Sequence, residues 1–128
     1  MAGVVLDSGA LSRLAERSAG SIALIEALRA AGLWPPVVPS VVLVESLRGH
    51  AGRDARVNRF LKTCVLGDAV PEGLARRAAW LRARARRGSA VDAIVVAFAE
   101  PAGLVLTQDP VDLSSLADYS AGVAVRAL

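Results

Sequence analysis

The sequence contains one cysteine, one histidine and one lysine among its 128 residues, and each scarcity excludes a class of site. With Cys64 alone, no disulfide can form within the chain, and with His50 as the single histidine a structural zinc site lacks its ligands. The longest apolar runs fall well short of the roughly 18 residues needed to span a bilayer, and no basic segment precedes the first of them. We therefore expect a cytoplasmic protein that does not enter a membrane.

The composition predicts one domain with an extensive buried surface. A chain of this length can bury one core, so we expect a single domain over residues 1–128. Its mean hydropathy of +0.46 is high for a soluble domain, which favours burial against a second copy or a permanent partner. Fourteen of the 15 basic residues are arginine, a preference that suits phosphate or carboxylate contacts but that genomic base composition also produces.

Short apolar runs alternate with segments of helical periodicity, which predicts an α/β fold with a mostly parallel central sheet flanked by helices. We expect strands near residues 4–6, 37–38, 65–66, 103–107 and 123–125. Helices are expected over residues 8–16, 21–31, 41–48, 53–62, 71–87, 89–99 and 110–116. In the third of these helices, we expect Val44 and Leu47 to face the core.

Four acidic residues lie at or near the predicted strand ends. Asp7 follows the first strand, Glu45 lies in the helix after the second, Asp92 opens a buried helix, and Asp109 follows a later strand. In parallel sheets, ligands bind outside the carboxyl ends of the strands, so these side chains are expected to converge. Two carboxylates about 4 Å apart repel by on the order of 4 kcal/mol at an effective dielectric near 20, so a cluster needs a counter-ion.

The chemistry of these ligands selects the ion and the reaction. Without histidine or cysteine, the site offers oxygen atoms alone, which favour a hard cation such as Mg²⁺, or Mn²⁺ in its place. Such an ion activates water and neutralises charge that builds on a phosphate, so the residues predict metal-assisted hydrolysis of a phosphodiester bond.

Each acid also has an ordinary structural explanation. Asp7 can cap the helix that follows it, and Glu45 can pair with Arg48 at the surface. Asp92 can complete a capping box with Ser89, and Asp109 can belong to an acidic helix start. The site hypothesis therefore depends on the four acids occurring together at similar positions along the fold.

Four segments resemble the successive acidic motifs of PIN-domain ribonucleases, and in particular the VapC toxins of bacterial type II toxin–antitoxin pairs. They are VVLDSGALSRL (4–14), PSVVLVESLRG (39–49), RRGSAVDAIVVAFA (86–99) and LVLTQDPVDL (104–113). The resemblance spans nearly the whole chain. It departs at Leu113, where many relatives carry an aromatic residue, and the connection from Gly49 to Arg87 resembles nothing diagnostic.

The resemblance implies a PIN domain and a set of site residues. Asp7, Glu45, Asp92 and Asp109 match the Mg²⁺-binding quartet of the family. We expect the first, third and fourth to be the principal metal ligands, and Glu45 to complete the site or to position the attacking water.

Further implications concern accessory residues, substrate and partners. Thr107 and Asp112 match accessory polar positions. The family cleaves structured RNAs such as transfer or ribosomal RNA, is commonly dimeric, and is inhibited by a cognate VapB antitoxin. We therefore expect an endoribonuclease toxin that forms a homodimer and binds such an antitoxin.

One helix carries a candidate RNA contact. Trp80 lies among Arg76, Arg84 and Arg87 on the helix predicted over residues 71–87, and aromatic and arginine side chains together grip single-stranded RNA. The same pattern also describes a solvated helix face, or a surface covered by a dimer or antitoxin partner, and we favour these alternatives because interfaces are enriched in both residue types.

Two rival functions lack residues that they require, and a third remains open. A phosphoacceptor receiver domain needs paired N-terminal acids and a late lysine, whereas the sole lysine is Lys62. A haloacid-dehalogenase-type phosphatase needs a second aspartate two residues after Asp7, where Gly9 stands. The remaining alternative is a catalytically silent PIN-like module that binds RNA or protein.

Overall fold

The computed structural model describes residues 3–128, and its centre is a sheet of five parallel strands. The strands are β1 (Val4–Leu6), β2 (Val37–Pro39), β3 (Val65–Gly67), β4 (Leu104–Thr107) and β5 (Ala124–Ala127). Their order is β3-β2-β1-β4-β5, and every neighbouring pair is parallel, so the predicted α/β fold is confirmed. The central strand β1 is fully buried because Val4, Val5 and Leu6 meet helices on both faces.

Seven α-helices flank this sheet within the described residues. They are α1 (Ser8–Ala15), α2 (Ala19–Ala30), α3 (Leu43–Ser46), α4 (Ala51–Leu61), α5 (Glu72–Ala85), α6 (Ala90–Ala99) and α7 (Pro110–Ala117). Helices α2, α3 and α4 pack on α1, whereas α5, α6 and α7 pack on one another. Right-handed connections between parallel strands place these two groups on opposite faces of the sheet. None of the helices in residues 3–128 has the length and apolarity needed to cross a membrane.

The strand order reverses between β1 and β4, and this reversal positions the site. The chain moves outward from β1 to β2 and β3, and then returns to the other side of β1 to form β4 and β5. Connections leaving β1 and β4 therefore turn to opposite faces and open a crevice at the carboxyl ends of these two strands. Val5 pairs with Val105, and Leu6 with Leu106, so the residues after both strands emerge at the same level.

The structure corrects the helix predicted over residues 41–48. The segment begins as a 3₁₀ helix (Ser40–Val42) and continues as the four-residue α3. The tighter 3₁₀ turn changes which residues face inward, because it holds three residues per turn instead of 3.6. Val42 is fully buried, whereas Val44 is 81% exposed, so the prediction for Val44 was wrong.

Candidate metal centre

Asp7 occupies the mouth of the crevice, where β1 becomes α1. Its main-chain N–H still bonds to the carbonyl of Leu106 on β4, at 3.3 Å, while its side chain caps the helix. Oδ1 accepts a hydrogen bond from the Ala10 N–H at 2.8 Å. Asp7 is 6% exposed, so this cap holds a carboxylate inside the protein rather than at its surface. The capping explanation is therefore correct, and it also fixes the orientation of the carboxylate.

Thr107 links Asp7 to the loop that carries Asp109. The hydroxyl of this fully buried threonine, the last residue of β4, donates a short hydrogen bond to Oδ2 of Asp7. It also accepts a hydrogen bond from the N–H of Asp109 at 2.8 Å. One hydroxyl thus joins the ends of β1 and β4, which is a specific role for the residue expected to be accessory.

Asp92, Asp109 and Asp112 form a compact carboxylate group. One oxygen from each lies within 4.8 Å of those from the other two, a spacing at which all three can reach one ion. Asp92 comes from the first turn of α6, whereas the other two come from the start of α7. Asp112, expected to be accessory, thus lies together with two of the three expected principal ligands.

Asp92 is held in place by a capping box. Its Oδ2 accepts from the N–H of Ser89 at 3.0 Å, while its own N–H donates to the Ser89 hydroxyl at 3.0 Å. Gly88, which precedes this box, has φ +87°, a conformation that favours glycine. A Cβ there would lie 2.8 Å from Cδ1 of Leu116 on α7. The glycine therefore lets the start of α6 approach the helix that carries Asp112.

Arg87 provides the counter-charge within this group. Its Nε donates to Oδ1 of Asp112 at 2.6 Å, and the two side chains are 56% and 29% exposed. The pair compensates part of the negative charge on one side of the group. Asp109 has no comparable partner, since within residues 3–128 its carboxylate lies in no ion pair and accepts no hydrogen bond.

Asp7 is not one of the three carboxylates within 4.8 Å of one another, but the Thr107 hydroxyl links it to Asp109. Burial raises the pKa of the Asp7 carboxyl above its ordinary value, and the negative charges of Asp92 and Asp109 raise it further. The hydrogen bonds from Thr107 and Ala10 act in the opposite direction. Asp7 is therefore a carboxylate whose charged form gains from a nearby cation.

Glu45 lies on α3, which packs on α1, and it is exposed. The expected alternative of a surface pair with Arg48 is not observed: across residues 3–128, no basic nitrogen lies within 4.0 Å of its carboxylate. Glu45 is also outside the group whose oxygens lie within 4.8 Å of one another. The structure thus leaves it as a free carboxylate near the start of the loop that leads to α4.

That loop is organised by Asp54, a buried acid that the sequence analysis did not single out. Its carboxylate accepts from the N–H of Arg48 at 3.0 and 3.1 Å and from the N–H of His50 at 3.1 Å. These hydrogen bonds hold the pKa of Asp54 below its ordinary value, and the one from Arg48 contributes most. The sequence signal for this role was the position of Asp54 near the start of a helix, because acids there accept hydrogen bonds from free main-chain N–H groups.

Three of the four residues expected to contact RNA lie on α5, and Arg87 follows the end of that helix. Trp80 is 42% exposed, and the guanidinium of Arg84 lies 5.1 Å from its ring centre. Arg76, in contrast, pairs with Glu72 at 2.7 Å, and Arg87 pairs with Asp112 as described. The other guanidinium over Trp80 belongs to Arg77, at 4.6 Å, which the sequence analysis did not include.

Comparison with known protein families gives one match. Residues 4–118 match the PIN domain, a span that includes every acid of the site. No curated protein matches the chain. PIN domains are generally nucleases and typically bind divalent metals through acidic residues, in agreement with the carboxylates found at the ends of β1 and β4. The chain therefore belongs to the PIN domain family.

Proposed function

We propose that this protein is a Mg²⁺-dependent endoribonuclease and the toxin of a type II, VapBC-like toxin–antitoxin pair. The observation that carries the proposal is the group of three carboxylates within 4.8 Å of one another, beside the buried Asp7, in a PIN domain. Such a concentration of negative charge is costly without a cation, and the PIN domain supports nuclease chemistry at that position.

The donor set fits a hard divalent cation. Asp92 and Asp109 supply oxygens within reach of one ion, Asp7 borders them, and Asp112 is shared with Arg87. Carboxylate oxygens suit Mg²⁺, with Mn²⁺ as a substitute, and no histidine or cysteine lies among them to favour zinc. When bound, the ion would neutralise charge on the phosphate and lower the pKa of a water molecule.

The side chains of the protein have distinct tasks in this proposal. Thr107 orients Asp7 and the Asp109 main chain, which keeps the two acids in register before substrate arrives. Glu45 has a free carboxylate, so it can complete the site or hold the attacking water. Arg87 can accompany Asp112 or move to the phosphate of the RNA, since its side chain is 56% exposed.

Exposed apolar side chains support the proposed partners. Val44 is 81% exposed on α3, and Val65 and Leu66 are 48% and 43% exposed on the edge strand β3. The edge of a sheet with exposed apolar side chains is a surface that a protein partner can cover. We propose that a VapB-type antitoxin and a second copy of the chain cover such surfaces, and that the protein acts in the cytoplasm on transfer or ribosomal RNA.

The alternative is a catalytically silent PIN-like module that binds RNA or protein. One observation favours it, namely that Arg87 already neutralises Asp112, so that this carboxylate is not free for an ion. In that case the remaining acids would serve as caps and loop anchors, as Asp7 and Asp92 visibly do. The two functions differ in whether RNA is cut.

The deciding experiment is cleavage of total bacterial RNA by the purified protein, freed of any antitoxin. We expect discrete fragments with Mg²⁺ or Mn²⁺ and none in EDTA. Asp92→Asn should abolish cleavage, whereas Asp118→Asn, which removes the same charge at the far end of α7, should not. Intact RNA after incubation of folded wild-type protein with Mn²⁺ would favour the silent module.

A growth assay tests the toxin role separately. Expression of the wild-type chain should arrest bacterial growth, and expression of Asp92→Asn should not. Cleavage of RNA in vitro without any effect on growth would retain the nuclease and exclude the toxin.

A further inference from the structure

An exposed aromatic surface lies on α5 and at the end of α7, two helices that pack together, and it takes no part in the carboxylate group. We call it the Trp80 platform: Arg77, Trp80 and Arg84 on α5, with Tyr119 just beyond the end of α7. Trp80 and Tyr119 are 42% and 47% exposed, and they line the same open depression together with Arg84. Two large aromatic side chains half open to solvent, in a chain with five aromatic residues, require an explanation.

One cation of the platform is fixed. Arg77 makes a bidentate pair with Glu100, with both N–O distances at 2.8 Å, and also donates to the carbonyl of Tyr119 at 3.5 Å. Its guanidinium lies 4.6 Å from the centre of the Trp80 ring. The Trp80 ring is therefore supported by a group that is itself held in place, as a rigid stacking surface requires.

The second cation is free. Arg84 lies 5.1 Å from the ring centre of Trp80, and its neighbour Arg86 lines the same depression. Neither guanidinium lies within 4.0 Å of a carboxylate in the part of the chain that the structure describes. Two unpaired cations beside exposed aromatic side chains suit phosphates and bases together, which is the chemistry of a nucleic-acid strand.

The platform and the carboxylates are joined by two helices. Arg87 lies seven positions after Trp80 in the sequence, and Tyr119 lies seven positions after Asp112. Helices α5 and α7 pack together, and the Arg87–Asp112 pair joins their ends at the carboxylate group. At a rise of ~1.5 Å per residue, Asp112 and Ala117 are about 8 Å apart along the axis of α7, and Tyr119 lies two residues further, so we place the platform roughly 10 Å from the carboxylates along this axis. Nucleotides stacked at ~3.4 Å span this distance in about three steps.

We propose that the Trp80 platform stacks an unpaired base of the RNA about three nucleotides from the bond that is cut. The proposal rests on the proposed nuclease function and adds a substrate requirement, namely a single-stranded segment next to the cleavage position. The occupant is RNA rather than a protein partner, because the platform combines unpaired cations with continuity to the carboxylate site. A base would stack on Trp80 as the Arg84 guanidinium moves from the ring to the neighbouring phosphate.

The test is binding of an RNA roughly 12 nucleotides long, of mixed sequence, in EDTA so that it is not cut. In a Trp34→Phe background the fluorescence reports Trp80 alone, and we expect saturable quenching by the single strand. Trp80→Ala, measured by fluorescence anisotropy of labelled RNA, should weaken binding by about 5- to 100-fold, while Trp80→Phe should stay within about threefold. The same strand in a duplex should bind more weakly.

Two arginine variants provide the matched comparison. Arg84→Gln should reduce the dependence of log affinity on log salt by about 0.7, the value for one lost phosphate contact on a single strand. Arg29→Gln removes the same charge from a different arginine–tryptophan pair, 5.4 Å from the Trp34 ring centre, and should leave both affinity and slope unchanged. Circular dichroism should show that all variants are folded.

Several outcomes would overturn the proposal. They are equal affinity of wild type and Trp80→Ala, unquenched Trp80 fluorescence, or duplex bound as tightly as single strand. Unchanged RNA affinity in Trp80→Ala with a smaller oligomer in light scattering would identify the platform as a protein interface. If RNA binding depends on Trp80 but wild type never cleaves RNA, the platform stands and the nuclease proposal fails. If wild type cleaves and Trp80→Ala cuts the same sites at the same rate, the reverse holds.

Discussion

Replacing Asp109 by asparagine removes one of three mutually repelling carboxylates and nothing else. The side chain accepts no hydrogen bond as the cap of α7 and lies in no ion pair within residues 3–128, so the substitution breaks no contact of the carboxylate. Its charge faces Asp92 and Asp112 at distances up to 4.8 Å. At that distance each repulsion is about 0.9 kcal/mol in a water-like dielectric and about 3.5 kcal/mol at a dielectric near 20.

The exposure of Asp109 selects the lower figure, so two full repulsions would cost about 1.7 kcal/mol in the metal-free protein, and the pair between Arg87 and Asp112 cancels part of the second. The dipole of α7 favours a negative charge at its start by ~0.3–1 kcal/mol, which offsets part of that cost. Asp109→Asn should therefore stabilise the metal-free protein by up to about 1 kcal/mol, or up to about 5 °C in Tm for a chain of this size.

Divalent metal should reverse this order. At a concentration 100 times its Kd, Mg²⁺ stabilises the wild-type protein by about 2.7 kcal/mol, whereas the variant, with fewer ligands, gains less. The assay is thermal unfolding in EDTA and in excess Mg²⁺, with Asp118→Asn as the charge-matched control that should show no metal-dependent difference. A variant that is less stable than wild type in EDTA, or that gains equally from Mg²⁺, would refute the reasoning.

Three further predictions concern residues outside the carboxylate group. Thr107→Val removes the hydrogen bond that lowers the pKa of Asp7. We expect a loss of about 1–3 kcal/mol in the free energy of unfolding, measured by urea titration. We also expect that Mn²⁺ binding, measured by calorimetry, requires a higher pH than in the wild type. Glu100→Gln should lower the free energy of unfolding by about 1–2 kcal/mol at pH 7, because Arg77 lowers the pKa of Glu100 in the folded protein. This stabilisation is present above the ordinary pKa of 4.5 and is lost as the pH falls through the lowered value. Burial raises the pKa of Cys64 to about 11, so about one thiol in a thousand is ionised at pH 8, and native protein should react with iodoacetamide far more slowly than unfolded protein.

Two substitutions elsewhere in the chain serve as matched controls for the first two of these predictions. Thr63→Val removes a hydroxyl bonded to a main-chain carbonyl away from the site, and should leave Mn²⁺ binding unchanged. Glu72→Gln breaks the exposed pair with Arg76 and should cost less than about 0.5 kcal/mol. An unchanged pH profile in Thr107→Val, a pH-independent cost of Glu100→Gln, or equal alkylation of folded and unfolded protein would each contradict the corresponding statement.

Much of the fold could be predicted because local sequence determines it. The buried run Val4–Leu6 reads as a central strand, and the glycine and proline positions mark where helices begin and end. The prediction for the segment after Pro39 was wrong because a helix that starts as a 3₁₀ turn and a full α-helix have the same apolar composition. They differ only in the angle per residue, and that difference turned Val44 outward.

The sequence pointed to the acids near the strand ends, but neither their grouping nor their pairings could be predicted, since Asp112 joins Asp92 and Asp109 while Asp7 and Glu45 lie outside that group. Parallel topology explains why Asp92, Asp109 and Asp112 lie at element starts on one edge of the sheet. The Arg87–Asp112 pair joins residues 25 positions apart, and helix packing rather than local periodicity decides it. The same holds for Thr107, whose hydroxyl reaches Asp7 across 100 positions.

The central claim is that these carboxylates hold the cation that RNA cleavage needs. The most direct measurement is the rate of cleavage of one RNA as a function of Mn²⁺ concentration, in wild type and in Asp109→Asn. We predict no cleavage in EDTA, saturation with Mn²⁺ in the wild type, and a half-saturating concentration at least about tenfold higher in the variant. Cleavage that persists in EDTA, or one half-saturating concentration shared by both proteins, would contradict the claim.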